Sequence, residues 1–278
     1  MPLSSREILL CPVCGATVGA QPDLLTCSSG HRFDAARQGY FNLLTGRGTR
    51  FEADTAGMVG AREDFLSAGH YEPLRSALAD AAVRLAPRSS TIVDAGAGTG
   101  YYLRAVADRF PGAFPVALDI SKFALRRAAR RLPDGVSLVW DVWKQLPLQS
   151  RSVDLLLNIF APRNPAEFFR VLGPNGLLLV ATPQPGHLVE LREQAVLLQV
   201  PDGKAEDVAR SLAGSLKEIE RNSLEYQMDL SPAAVKSAIL MGPAARHYGP
   251  GQLDAVMERL EGHQLVSAAF TVQAFVQA

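Results

Sequence analysis

The stretch Thr91-Ile92-Val93-Asp94-Ala95-Gly96-Ala97-Gly98-Thr99-Gly100 decides the fold. Thr91 to Asp94 is a short, mostly apolar run ending in an acid, the pattern of a buried strand. The glycines behind it predict a tight turn into a helix that starts at Tyr101. A dinucleotide-binding turn reads G-x-G-x-x-G. Here the third glycine comes one residue early, and Tyr101 stands where that fingerprint has glycine. The glycines still let backbone approach a ligand closely. A second apolar run ends at Asp119, nineteen residues after Gly100. An acid at that strand end can accept hydrogen bonds from both hydroxyls of a ribose. A glycine turn with a surface aspartate would give the same letters, but the two together point to a nucleoside cofactor.

Downstream of the turn the chain alternates short apolar runs with amphipathic stretches. Thr91 to Asp94, Pro115 to Asp119, Val136 to Trp140, Val153 to Ile159 and Leu177 to Ala181 are predicted strands. Tyr101 to Phe110, Lys122 to Leu132 and Pro165 to Leu172 are the helices between them. That alternation implies an α/β domain with a parallel sheet covered on both faces. Phe270 to Val276 reads as a last strand, and Leu216 to Met228 as a weaker candidate for another. Upstream, Met58, Val59, Phe65, Leu66, Leu74, Leu78 and Leu85 fall at mostly helical spacings, interrupted at Ser67 to Tyr71. The division expected is a loop-rich module over 1–50, a helical linker over 51–90 and a catalytic domain over 91–278.

The first module carries Cys11-x-x-Cys14, then twelve residues, then Cys27-x-x-x-His31. Thiolates and an imidazole in that order are the ligand set of a closed tetrahedral zinc site, one ion per chain. Such a site supplies folding energy to a segment too short to bury a core. Gly15 and Gly30 sit beside ligands, where knuckle turns need positive φ. The plainer alternative is three reduced, buried cysteines and an unrelated histidine. The odd cysteine count speaks against a disulfide framework. Four protein ligands leave no open position for a catalytic water, so the zinc is expected to be structural.

Lys plus Arg and Asp plus Glu both number 28, so no bulk basic excess marks a nucleic-acid binder. Local clusters exist. Lys122, Arg126, Arg127, Arg130 and Arg131 lie on one predicted helix without an acid, where a solvated face is the commoner explanation. Arg32, Arg37, Arg47 and Arg50, against Asp34 alone, are the better candidates to track phosphates. No apolar run approaches the ~20 residues that span a bilayer. The opening residues lack a basic start with a long apolar stretch, so the chain reads as cytoplasmic.

The form D-x-G-x-G-x-G over Asp94 to Gly100 resembles the first motif of class I methyltransferases. Together with the zinc pattern it resembles the bacterial 23S rRNA (guanine-N1)-methyltransferase family. The likeness runs in order through Gly39 to Leu44, Phe65 to Leu74 (with Gly69-His70-Tyr71), Leu118 to Lys122, Ala161-Pro162, Ala181-Thr-Pro183 and His187 to Leu191. It implies a class I, Rossmann-like, mostly parallel fold behind a zinc-binding RNA-recognition module. It also implies S-adenosylmethionine contacts from Tyr71, Gly98, Thr99 and His187, beside Asp94, Gly96, Gly100 and Asp119 of the turn. Without the family, His70, Tyr71 and His187 would read as half-buried or core side chains. Asp141-Val-Trp143, Asn158 to Asn164 and Met241-Gly-Pro243 are similar to the branch connected with tylosin-type macrolide resistance. Ala97 stands where the family often has cysteine, a change expected to be harmless.

Guanine N1 must lose its proton and meet the methyl in line, and it lies on the Watson–Crick edge, so the base must be unpaired or flipped out. Asn158, Phe160 and Asp141 are the expected catalytic residues. Phe160 or Trp143 would stack the base, the Asn158 carbonyl or a carboxylate would accept from N1, and Asp141 is the candidate base. Asp141 could equally contact adenine or cap a turn. The partner expected is a domain II hairpin of 23S rRNA; oligomeric state is left open, a homodimer being one reading. Two rival readings are a small-molecule methyltransferase, which would need no zinc module, and a non-catalytic zinc RNA-binding assembly factor, which would need no glycine turn.

Overall fold

In the computed structural model the strand that carries the glycine turn lies inside an eight-stranded sheet. The structure describes residues 7–21, 23–46, 48–192, 200–248, 251–260 and 262–278; Arg47, one of the arginines expected to track phosphates, lies outside them. The chain begins with a three-stranded antiparallel sheet of β1 (Val18–Gln21), β2 (Leu24–Cys27) and β3 (Arg32–Asp34). A two-residue strand β4 (Phe41–Asn42) follows. Helix α1 (Ala56–Ser67) starts where the Thr55 hydroxyl accepts from the Met58 N–H, an N-cap. It stops before Gly69, which takes φ +85°, and α2 (Glu72–Leu85) resumes with Pro73 in its first turn. The predicted interruption at Ser67 to Tyr71 is therefore a real break between two helices.

The core alternates β5 (Thr91–Ala95), α3 (Tyr101–Ala107), β6 (Phe114–Asp119), α4 (Lys122–Arg131), β7 (Val136–Val139), β8 (Val153–Ile159), α5 (Pro165–Val171) and β9 (Leu172–Pro183). Then come α6 (Lys204–Leu212), β10 (Leu216–Leu230), α7 (Pro232–Leu240), α8 (Gln252–Met257) and β11 (Gln264–Gln277). The order across the sheet is β10-β11-β9-β8-β5-β6-β7-β4. Pairings from β9 to β4 are parallel, while β11 runs antiparallel to both β9 and β10. Strands β5, β6 and β8 have runs of buried residues because helices or the N-terminal segment cover both faces.

Two features lie beyond the sequence reading. Strand β4, inside the segment read as a separate module, pairs in parallel with β7 through Phe41 opposite Leu138 and Asn42 opposite Val139. Ile8, Leu9, Leu25 and Phe41 share one apolar cluster with Leu138, Leu146 and Leu148. The N-terminal segment is thus packed onto the edge of the main sheet. None of the helices among the described residues is long and apolar enough to cross a membrane.

Candidate functional site

The metal ligands converge from two short turns. Gly15 and Gly30, at φ +74° and +82°, close the turns. The Gly15 N–H donates to Cys11 O, and the Gly30 N–H to Cys27 O. Cys11, Cys14, Cys27 and His31 present ligand atoms that all lie within 4.8 Å of one another. Cys14 Sγ and Cys27 Sγ are 3.7 Å apart, and His31 Nδ1 is 3.3 Å from Cys27 Sγ and 3.6 Å from Cys11 Sγ. A tetrahedron with Zn–S bonds near 2.3 Å has S–S edges of about 3.8 Å, so these residues fit a zinc ion. His31 uses Nδ1.

At the far end of β5 the glycine turn is built to be bare. The Gly96 and Ala97 N–H groups both donate to Leu118 O, which bends the chain over the end of β6. Gly96 takes φ +101°, and a Cβ there would stand 2.2 Å from Ala161 Cβ. Gly100, at φ +75°, packs against Ala128 and Leu132 of the α4 region. Asp119 closes the turn from the other side: Oδ2 accepts from the Gly98 N–H at 2.9 Å and Oδ1 from the Ser121 N–H at 2.7 Å. Burial pushes its carboxyl above the usual carboxylate range, while those two donors pull it back. The spare lone pairs of both oxygens remain available to hydroxyl donors.

Around this turn several buried polar atoms have no partner among the described residues: Asp94 Oδ1, Thr99 Oγ1, Tyr102 Oη and Asn158 Oδ1. Burial, and then the neighbouring Asp119 charge, push the Asp94 carboxyl well above its ordinary range. Orphaned polar groups inside a protein are costly unless a ligand satisfies them. The bare glycine backbone and these atoms fit a polar nucleoside cofactor such as S-adenosylmethionine. A recess of about 520 Å³ beside Ile120 is lined by Leu44, Asp54, Phe123 and Val139, among others, and is largely apolar, as an adenine ring requires.

Tyr71 and His187 meet on the other flank, with Tyr71 Oη 2.9 Å from His187 Nε2. The Tyr71 ring also stands 6.3 Å from that of Phe160. Phe160 has φ +53°, rare for a bulky residue, and its ring is 41% exposed against Tyr102 and Phe270. Asn158 is fully buried, and its Nδ2 donates to Ala95 O and Pro162 O, each at 2.8 Å. Two carbonyl acceptors fix the orientation of the amide, so the orphaned atom is its carbonyl oxygen. The structure therefore brings Tyr71, Asp94, Gly96, Gly98, Thr99, Gly100, Asp119, Asn158, Phe160 and His187 to one edge of the sheet.

Asp141 is placed differently from the other catalytic candidates. It is buried, and both oxygens are taken: Oδ2 accepts from Thr49 Oγ1 at 2.7 Å and Oδ1 from the Trp143 N–H at 3.0 Å. Of its alternative roles, holding a turn is the one these contacts match. Sequence reasoning passed over Arg62. It bonds Asp54 Oδ2 at 2.6 Å and Met241 O at 2.6 Å, and lies 3.8 Å from where a Gly98 Cβ would stand. Nothing in its spacing on α1 marks it, because its partners lie elsewhere in the chain.

The chain matches two family models, one described as "RlmA, N-terminal" over residues 9–46 and one as "Methyltransferase domain" over residues 92–176. It is 46% identical over 279 aligned residues to a Micromonospora griseorubida protein provisionally named a 23S rRNA (guanine-N1)-methyltransferase, covering 94% of both chains. It is 43% identical over 268 residues to the 23S rRNA (guanine(748)-N1)-methyltransferase of Streptomyces fradiae, covering 95% of both. Among solved structures, a chain from the complex between the Haloferax volcanii Trm112 methyltransferase activator and a methyltransferase superposes with a TM-score of 0.54. It is 21% identical and covers 81% of this chain and 98% of that one, a likeness of fold.

Proposed function

The chain belongs to the 23S rRNA (guanine-N1)-methyltransferase family, and from that premise we propose that its target is the 748-type guanine of a domain II hairpin rather than the 745-type. The likeness that carries this choice is to the Streptomyces fradiae enzyme, which extends over nearly the whole of both chains. Asn158 at the end of β8 supports it, since that asparagine belongs to the branch the sequence resembles. The proposed setting is the cytoplasm, with one structural zinc per chain.

S-adenosylmethionine, when bound, supplies a methyl group on a sulfonium centre. The residues of the chain do the rest. Asp119 holds the ribose hydroxyls, and Gly96 and Gly98 let the backbone close on the cofactor. Tyr71 and His187 line its methionine side. Phe160, whose ring is both exposed and near Tyr71, stacks the extruded guanine beside the methyl donor. The orphaned Asn158 Oδ1 accepts a hydrogen bond from the Watson–Crick edge of the base and aligns N1. In such a contact only the base edge gives up water, because the oxygen is already buried.

The test is tritiated methyl transfer to unmodified 23S rRNA, followed by mapping of the product base by primer-extension stop. A stop at the 748-type position supports the proposal. A stop at the 745-type position moves the chain to the other branch. Label found in a metabolite extract and absent from RNA overturns the reading altogether.

A further inference from the structure

Phe51 and Trp143 form an exposed aromatic pair in which a single chain of hydrogen bonds fixes the backbone of both residues. The Phe51 N–H donates to Thr49 Oγ1 at 3.2 Å. Thr49 Oγ1 donates to Asp141 Oδ2 at 2.7 Å. Asp141 Oδ1 accepts from the Trp143 N–H at 3.0 Å. The loop is tied again where Lys144 Nζ donates to Gly48 O and Asn164 Nδ2 to Trp143 O at 3.2 Å. A buried aspartate thus holds two segments 92 residues apart in one geometry.

What this arrangement presents to solvent is two large rings. Trp143 is 50% exposed and Phe51 37%. Their centroids are 6.2 Å apart with planes 30° from parallel, a tilted pair in which both side chains stay exposed. Arg50 lies over Phe51, 5.1 Å from the ring centroid, so a cation borders the pair. Exposed rings rigidly held beside an arginine are the make-up of a base-stacking platform, in which the rings take nucleobases and the cation takes a phosphate. The Arg50 cation beside the rings favours a phosphate-bearing partner over an apolar protein surface.

Position selects the occupant. Trp143 follows β7, and Phe160 follows β8, which is three strand places away in the sheet. At about 4.8 Å per strand the ends of β7 and β8 lie on the order of 14 Å apart along one edge. The Asn164 bond to Trp143 O carries the loop after Phe160 across that gap. A spacing of that order favours separate bases at the two positions.

We propose that Phe51 and Trp143 stack a second unpaired nucleobase of the rRNA hairpin, a neighbour of the guanine held at Phe160, with Arg50 on its phosphate. Asp141 is then a positioning residue for this platform rather than the general base. The inference rests on the rRNA reading above and adds a loop-recognition site to it.

The experiment uses the full zinc-loaded chain and a transcript of the domain II hairpin, together with versions carrying one abasic position each. The chain has two tryptophans, and Trp140 is buried, so quenching of the exposed Trp143 reports stacking. The hairpin should quench its fluorescence, and Trp143→Phe should remove that signal while keeping most of the affinity. Trp143→Ala and Phe51→Ala should each raise the KM for the hairpin by roughly 5- to 100-fold, the range of one lost stack, with the single-turnover rate at saturating RNA retained. One abasic position other than the target should weaken the wild type and leave Trp143→Ala nearly unchanged. Unquenched fluorescence, or abasic losses that are the same in wild type and Trp143→Ala at every loop position, overturns the platform. The abasic series on wild-type protein decides the matter even if a variant folds poorly. Methylation of the expected guanine in the same samples, without quenching, would leave the family function standing and remove only this site.

Discussion

Tyr71 Oη and His187 Nε2 are 2.9 Å apart although 116 residues separate them in the chain. The Ala269 N–H points at His187 Nδ1, 3.3 Å away, so that nitrogen is an acceptor and the proton sits on Nε2. His187 then donates to Tyr71 Oη, which leaves the tyrosine's own O–H free to donate elsewhere. Tyr71 is only 3% exposed, and burial holds its hydroxyl far above the ordinary tyrosine pKa, so it stays a donor. A fixed, protonated phenol at the cofactor edge is suited to an anionic or carbonyl oxygen.

Tyr71→Phe should keep the aromatic packing against Phe65 and Phe270 and lose the hydroxyl, both as a donor and as the acceptor for His187 Nε2. Affinity for S-adenosylmethionine is expected to fall by about 1 kcal/mol, roughly fivefold in Kd. Calorimetry on the zinc-loaded variant measures it. An unchanged Kd would mean that the hydroxyl serves His187 alone.

Burial pushes His187 down to about 4 from its ordinary 6.5. Between those values the unfolded chain carries one more proton at this site than the folded chain. Stability therefore falls as pH drops through 6.5 and stops falling below 4. From pH 6.5 to 5 the loss from this group is about 2 kcal/mol. Asp94 and Asp119, raised by burial in the folded state, act in the opposite direction. The difference between wild type and His187→Gln isolates the histidine. Urea midpoints for the pair should converge as pH falls from 7 to 5. Parallel curves would place the neutral imidazole in doubt.

What was legible in the sequence is what depends on short spacing. The glycine turn, the acid at Asp119 and the knuckles at Cys11 and Cys27 are local patterns, and local geometry follows from them. That the sheet is largely parallel was legible because apolar runs alternate with helices, while the order of strands across it was not. The rest depends on which distant segments meet. Thr49 meets Asp141 because β4 pairs with β7, Arg62 meets Met241 O because α1 packs on α7, and Ala161 presses on Gly96 because β8 lies beside β5. No periodicity encodes those meetings. Strand β4 was missed for another reason: two residues are too few to show alternation. Asp141 was read as a candidate base because its position after β7 is visible in sequence, while the hydroxyl that occupies it is not.

Gly96→Ala should damage the site more than an ordinary loop change. Its Cβ would overlap Ala161 Cβ at 2.2 Å, and φ is +101°. The overlap alone costs about 1–3 kcal/mol and forces the turn away from the end of β8. Cofactor binding should be lost or cut at least tenfold. Gly112→Ala is the control, since φ is +84° there with no atom near the new Cβ. If both variants lose the same stability by urea denaturation, backbone strain and not the Ala161 contact is responsible.

Cys27→Ser removes a ligand that is itself buried in the apolar cluster shared with Phe41 and Leu148. Zinc should be released, falling to well below half of the wild-type content by metal analysis. Residues 7–46 should become sensitive to protease, because the segment has little core of its own. The thermal midpoint of the whole chain should drop with it. Full zinc content and unchanged protease resistance would refute this account of the fold.

The most informative cuts are two truncations. A chain starting at Thr55 keeps the glycine turn, Asp119 and the β8 edge, all beyond residue 90, and sequence alone would expect its cofactor pocket largely to survive. The structure gives a different expectation. Such a chain lacks β4, so β7 becomes an open edge, and Leu138 and Leu148 lose their cover. It also lacks Asp54, whose carbonyl accepts from Ser121 Oγ beside Asp119 and whose carboxylate pairs with Arg62. Asp141 loses Thr49, and Leu44 no longer walls the recess next to Ile120. Cofactor affinity should fall by at least about tenfold, near the loss expected for one or two hydrogen bonds to a charged group. A chain starting at Gly39 removes the zinc turns and the arginines Arg32 and Arg37 but keeps β4 and the loop through Asp54. It should bind cofactor within a few-fold of the full chain and fail to methylate 23S rRNA. Calorimetry and tritium transfer on the same samples separate the two effects. Equal cofactor binding by both truncations would show that the segment from Gly39 to Asp54 contributes nothing to the pocket it borders.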